Sequence, residues 1–431
     1  MTGVAVIAAA FAAYALLAAR LDRAWISAPM VFVATGFLLG PSVLGLVEPS
    51  GERETLLHLT ELTLAIILFA DAATVRLKRL REDAALPGRL LGIGLPLTIA
   101  LGTMLAAPIL GVPWALAALI ATILAPTDAA LGLAVVTDRA VPVRIRRALN
   151  VESGLNDGIA TPFVSLFLTI VATEEAVRTG SWVVGAAFAL GLAVVVALVV
   201  GGLGGLAFAT ARARSWTTPV SEELAVLSLA VLSYVGAVAV GGYGFVAAFA
   251  GGLVFAFASS ARDAKLGDPL ATATREAVDF TETVGLFASF VVWVIFGALF
   301  VGPVLTRTPA LEAVIYAVAS LTVIRMLPVA IALLGMKLRK DTIAFIGWFG
   351  PRGLASVVFT LIAFDELART TAAPRLLEVA TLTILGSVLL HGVTARPLAA
   401  IYGRRVQADP DAVELVKVPE PRVRRKALAG G

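Results

Sequence analysis

Apolar stretches of about 20 residues recur from Gly3 to Ala400, each long enough to cross a hydrocarbon core of roughly 30 Å. Thirteen can be counted, near residues 3–19, 26–46, 56–75, 89–110, 113–137, 148–172, 181–210, 222–240, 243–260, 278–305, 310–334, 341–364 and 374–402. No water hydrates a peptide group in the bilayer core, so such segments fold as helices that close their own backbone hydrogen bonds. The expected fold class is an all-α polytopic membrane protein with about 13 transmembrane helices. The segment at 181–210 is long and ends in Gly201-Gly202-Leu203-Gly204-Gly205, which predicts a tilted helix or one that continues past the bilayer. Composition agrees: only 15% of residues are charged, against roughly 25% in a soluble domain.

The net charge of +4 does not point to nucleic acid, because the basic residues sit between the apolar segments and in the C-terminal tail. With the N-terminus outside, the inner connections and tail hold 27 Lys and Arg and the outer connections 5. An excess of Lys and Arg marks the cytoplasmic side. The expectation is a cell (inner) membrane protein with its N-terminus outside and its C-terminus cytoplasmic. Met1 to Arg20 is read as the first membrane helix, with a cleaved signal peptide as the alternative. Residues 1–403 form the transmembrane domain and 404–431 a short basic tail. The tail is expected to be solvated, although Arg422 to Lys426 are suited to lie on anionic lipid. The absence of cysteine excludes disulfides and thiolate metal sites, and two histidines, His58 and His391, are too few for a His-rich metal centre. No cofactor, nucleic acid or obligate protein partner is expected.

Charges inside membrane helices cost roughly 2.5–3.5 kcal/mol each, so each is a functional candidate. The apolar segments retain Asp71, Asp128, Glu152, Asp157, Arg325 and Arg352. In Ala125-Pro126-Thr127-Asp128, Pro126 removes a backbone donor and opens the helix, freeing carbonyls near Thr127. Freed carbonyls at membrane depth are tolerated where they line a cavity or meet an ion. Alternatively, Asp128 simply caps a proline kink. In Glu152-Ser153-Gly154-Leu155-Asn156-Asp157, Ser153 and Asp157 stack on one helix face and Glu152 and Asn156 on the next. The Thr127 carbonyl, Asp128, Ser153 and Asp157 together offer an all-oxygen cage suited to a hard monovalent cation. Burial of a carboxylate favours its protonated form, so proton and cation compete for one site. The competing interpretation is polar residues that glue helices together.

Arg325, in Val323-Ile324-Arg325-Met326, needs an acidic partner, and Glu152 is expected to supply it as a structural pair. Gly350-Pro351-Arg352-Gly353 marks a second break, which predicts inverted repeats with two interrupted helices and sets Arg352 facing Asp128. The alternative is a kinked helix whose Arg352 snorkels to an interface. Asp71, toward the cytoplasmic end of its segment, either faces the ion path or pairs with the basic loop Arg76 to Arg81.

These motifs, Pro126-Thr127-Asp128, Glu152-Ser153-Gly154-Leu155-Asn156-Asp157-Gly158, the lone Arg325 and Gly350-Pro351-Arg352-Gly353-Leu354-Ala355, resemble the monovalent cation:proton antiporter superfamily in its NhaP and NHE branch of sodium/proton exchangers. The resemblance runs along the whole membrane part. It implies the NhaA-like antiporter fold, a homodimer with a core domain moving against a dimer domain, and a role in pH homeostasis. It implies Asp157 as carrier of both cation and proton, with the Thr127 carbonyl, Asp128 and Ser153 on the ion. Asp71 contributes near the ion, and Glu152 pairs with Arg325. Asn156, where the electrogenic branch has an aspartate, implies electroneutral exchange of one cation, Na+ or alternatively Li+ or K+, for one proton. The transported ions are substrates rather than cofactors. Two other classes compete. An intramembrane aspartyl protease needs Tyr-Asp and Gly-x-Gly-Asp patterns, which occur at neither Asp128 nor Asp157. A cation channel needs repeated weak sites along a pore rather than one strong cage.

Overall fold

The computed structural model describes residues 2–46, 53–75, 84–128, 131, 133–172, 181–266, 268–409 and 411–416. The basic loop Arg76 to Arg81, Arg178 and the tail stretch Arg422 to Lys426 lie outside the described residues. Every regular element among the described residues is a helix. Nine are long and apolar enough to cross a membrane: Ala5–Arg23, Glu54–Thr74, Ala85–Leu110, Val143–Ala172, Val183–Ala213, Pro219–Ala239, Thr274–Leu305, Leu311–Ala332 and Ala372–Gln407. Shorter apolar helices lie at Ala28–Leu39, Trp114–Ile123 and Gly244–Ser260. The segment expected at 341–364 is two half-helices, Lys340–Trp348 and Leu354–Glu366. The long 181–210 segment stays helical to Ala213 and passes through a π-helical stretch at Ala197–Leu203, a widened turn that absorbs extra residues.

The chain divides into two compact units, one of Met1–Glu54, Asp83–Asn156 and Phe290–Gly431, the other of Thr55–Glu82 and Asp157–Ser289. The division falls inside the Val143–Ala172 helix, between Asn156 and Asp157.

The first unit holds both interrupted helices. One of its cores gathers Leu86, Leu90, Val135, Val136, Ile145 and Leu149, and in it the rings of Phe345 and Tyr402 stack at 4.1 Å. The Ala372–Gln407 helix runs past residue 403, and the chain beyond it turns back. Glu414 is buried, and its Oε1 accepts from the Arg339 backbone N–H at 2.9 Å and from the Thr342 hydroxyl at 2.7 Å. Arg339 bridges Asp341 and Asp409, and Arg144 donates to the Val413 carbonyl. Residues 404–416, expected from the sequence to belong to a solvated tail, are thus packed against the first unit in part. The physical reason is the start of the Lys340–Trp348 helix, whose unsatisfied N-terminal groups favour a carboxylate.

In the second unit, Gly244–Leu266 is the central packing element. Phe69 and Ala72 meet it at Gly252, and Gly158 meets it at Phe249. A Cβ on Gly252 would overlap the Phe69 carbonyl, so the two backbones approach as closely as they do only because that position is glycine. One turn of this helix thus receives both the segment that carries Asp71 and the segment that carries Asp157.

Candidate functional site

The Trp114–Ile123 helix ends just before Pro126, and the chain leaves it through a turn at Leu124 and Ala125 into the irregular stretch 126–128. The freed carbonyls are answered one by one, as buried backbone groups must be. Ile123 O accepts from the Ser356 hydroxyl at 2.7 Å, Ala125 O from the Arg352 guanidinium at 2.6 Å, and Thr127 O from the Ser153 hydroxyl at 2.6 Å. The second break, between Trp348 and Leu354, crosses the first. Asp128 N–H donates to Pro351 O at 2.8 Å, and the Asp128 carboxylate accepts from Leu354 N–H at 3.1 Å. A Cβ on Gly353 would overlap the Asp128 side chain, so the crossing requires glycine at that position.

The two breaks meet, and the hydrogen bonds of Arg352, expected to face Asp128, go to backbone carbonyls. Arg352 is fully buried and directs its guanidinium to two carbonyls, Ala125 O and Ser320 O, the latter at 3.0 Å. Helix C-termini carry partial negative charge, and a guanidinium satisfies both geometry and charge there. Ser320 O is available because the segment expected to run unbroken over 310–334 is interrupted at Thr322 (φ −117°, ψ −93°), between Leu311–Leu321 and Val323–Ala332. Proline does not mark this third interruption, since Pro328 lies inside the second piece.

On the Val143–Ala172 helix, Glu152 and Arg325 form a bidentate pair at 2.7 and 3.0 Å, both 2% exposed. Gly350 lets the Arg325 side chain lie against the second break. One residue on, Ser153 reaches Thr127 O, and Asn156 Nδ2 donates to Thr127 Oγ1 at 2.7 Å. Thr127 is thus held from two sides by one face of this helix. Thr127, Ser153, Asn156 and Asp157 are all buried, whereas Asp128 is partly exposed. Asp157 follows four residues after Ser153 on the same helix, and its carbonyl accepts from Thr161. Asp71 is partly buried and its carbonyl accepts from Thr74.

The structure therefore brings Thr127, Asp128, Ser153, Asn156, Glu152, Arg325 and Arg352 into one constellation. The segments that carry Asp71 and Asp157 both pack against the Gly244–Leu266 helix of the second unit. Among the described residues no group of three or more His, Asp or Glu is poised for a metal ion. Ser356, Ser387 and His391 escaped sequence reasoning. The available signal was polar side chains inside otherwise apolar segments, with Ser387 and His391 four apart on one face.

A family model described as sodium/hydrogen exchanger, transmembrane, matches residues 6–401. The chain is 30% identical over 170 residues to a K(+)/H(+) antiporter NhaP of Alkalimonas amylolytica. That stretch is 38% of this chain and spans only 29% of the relative's length. In solved structures the fold is similar to the sodium proton antiporter MjNhaP1 of Methanocaldococcus jannaschii at pH 8, with TM-score 0.75 and 20% identity, covering 94% of this chain and 99% of that one. An electron-microscopy structure of the same antiporter gives TM-score 0.72 at 17% identity, over 95% and 98% of the two chains. With a family match over nearly all of its length, this chain belongs to the transmembrane sodium/hydrogen exchanger family.

Proposed function

We propose that the protein exchanges one monovalent cation, Na+ ahead of K+ or Li+, for one proton by alternating access, with Asp157 as the carrier of either. The main support lies on one stretch of helix. Glu152 is committed to Arg325 in a buried bidentate pair, and position 156 is an uncharged amide held on Thr127. Asp157 is the third of these side chains and the one whose charge the exchange uses. In the cation-loaded state the Thr127 carbonyl, Ser153, Asp128 and Asp71 complete the oxygen shell. Ser153 then turns its hydroxyl proton away from Thr127 O, so that both oxygens face the ion. Asn156, Glu152, Arg325 and Arg352 support the site without carrying the ion.

With one titrating carboxylate per site, no net charge crosses the membrane, and the roughly 2.3 kcal/mol per charge per 100 mV of membrane potential does no work. In proteoliposomes, cation-driven proton flux should be seen with sodium chloride and should ignore an imposed potassium–valinomycin potential. Asp157→Asn should abolish that flux while leaving a folded protein. Retained flux in this variant refutes the carrier assignment, and a rate that follows the voltage refutes electroneutrality. Comparing sodium, potassium and lithium chlorides identifies the cation.

The same proposal puts the protein in the cell membrane as a homodimer, N-terminus outside and C-terminus cytoplasmic. The 27 to 5 division of Lys and Arg supports the orientation. Exposed apolar side chains such as Leu16, Val184 and Phe188 suit lipid or a second copy. Because the chain has no cysteine, single introduced cysteines labelled from either side report the orientation directly.

A further inference from the structure

We propose that His391 is a positioning residue for the second break and works as a neutral imidazole protonated on Nε2. This rests on the antiport proposal for its functional consequence but not for its chemistry.

Three polar side chains, Ser387, His391 and Thr394, project from one face of the Ala372–Gln407 helix. All three engage the broken segment. His391 Nε2 lies 2.9 Å from the carbonyl of Trp348, the last residue of the Lys340–Trp348 half-helix. The indole Nε1–H of Trp348 donates to Thr394 Oγ1 at 3.0 Å. On the far side of the break, Arg352 N–H donates to Ser387 Oγ at 2.6 Å. Ser387 Oγ is in turn 3.1 Å from His391 Nδ1.

A neutral ring satisfies the hydrogen-bond directions around this set. A carbonyl only accepts, so Nε2 facing Trp348 O must carry a proton. Ser387 Oγ already accepts from Arg352 N–H, which leaves its own proton free to go to Nδ1. Nδ1 is then an acceptor and the ring is neutral. The relay runs Arg352 N–H to Ser387 Oγ, Ser387 O–H to His391 Nδ1, and His391 Nε2–H to Trp348 O. An imidazolium would place a second proton on Nδ1 and turn it to the Ser387 carbonyl at 3.0 Å, which breaks the link to the hydroxyl.

The relay pins the two edges of the extended stretch, residues 348 and 352. Between them lies Pro351, whose carbonyl receives Asp128 N–H, and just beyond lies Leu354, whose N–H meets the Asp128 carboxylate. His391 therefore sets the register in which the second break meets the first, without touching the ion. His391 is 1% exposed.

Two measurements test this. The chain has two histidines, so 15N-histidine spectra of the detergent-solubilised full chain can be assigned by subtracting the His391→Gln spectrum. The expected signal at about pH 7 is a neutral ring that carries its proton on Nε2. An Nδ1–H tautomer, or a doubly protonated ring, overturns the proposal. In proteoliposomes His391→Leu should lower the exchange rate by about tenfold, the scale of a buried polar group left without its partner. Its thermal unfolding in detergent should fall as well, because Trp348 O loses its donor. His391→Gln, whose amide both donates and accepts, should recover most of the rate. Wild-type exchange in His391→Leu, or a Gln variant as slow as the Leu variant, also overturns it. If wild-type vesicles show no exchange at all, the antiport proposal fails, and the spectrum alone decides the relay.

Discussion

The two crossing breaks expose opposite halves of the peptide group. At the first, a half-helix runs out and its carbonyls at Ile123, Ala125 and Thr127 lose their intrahelical donors. At the second, a half-helix begins at Leu354 and its N–H groups lack acceptors. Each break supplies the charge that the other needs: Arg352 binds Ala125 O, and Asp128 accepts from Leu354 N–H. The exchange is unequal. Arg352 is fully buried and serves two separate carbonyls, whereas Asp128 is partly exposed and the structure places one carboxylate oxygen on a backbone amide. The cationic side of the crossing is thus a structural fastening, and in the proposed function the acidic side is the one that meets the ion.

Substitutions can break this comparison or sharpen it. The largest stability loss is expected at the brace of the second break. Arg325→Ala or Glu152→Ala leaves a buried charge unpaired, at a cost of about 3–5 kcal/mol. Folded yield of each single variant should collapse, and the double variant should recover part of it. Stable single variants that merely lose transport would make the pair functional instead. Next is Arg352→Leu, which leaves Ala125 O and Ser320 O without donors, at about 1–3 kcal/mol each. Thermal unfolding in detergent should fall accordingly, and an unchanged midpoint would remove the fastening role. The smallest effect on stability belongs to Asp128→Asn. Its amide oxygen can still accept from Leu354 N–H, so stability should change by less than about 1 kcal/mol while exchange falls. A loss equal to that of Arg352→Leu would abolish the asymmetry between the two breaks.

Much of the constellation was legible in the sequence. Pro126 and the Gly350-Pro351-Arg352-Gly353 run announced their breaks because proline and glycine alter the local backbone in any context. Glu152 and Arg325 stood out because a charge in an apolar segment is costly wherever it sits. Thr322 gave no such warning. The interruption there is stabilised by Arg352, a residue 30 positions away, which accepts the burden of Ser320 O.

The sequence alone determined the helical class, the places of the apolar segments and the identity of the charges retained inside them. These follow from residue type, through the cost of burying peptide groups and charges in hydrocarbon. Only the tertiary structure decided where the buried polar groups point: Arg352 to two carbonyls, Ser356 to Ile123 O, His391 to Trp348 O, and Glu414 to the start of the Lys340–Trp348 helix. A buried hydrogen bond is satisfied by whichever partner packing brings within about 3 Å. Here the partners are up to 233 residues apart in the chain, a distance over which spacing carries no information.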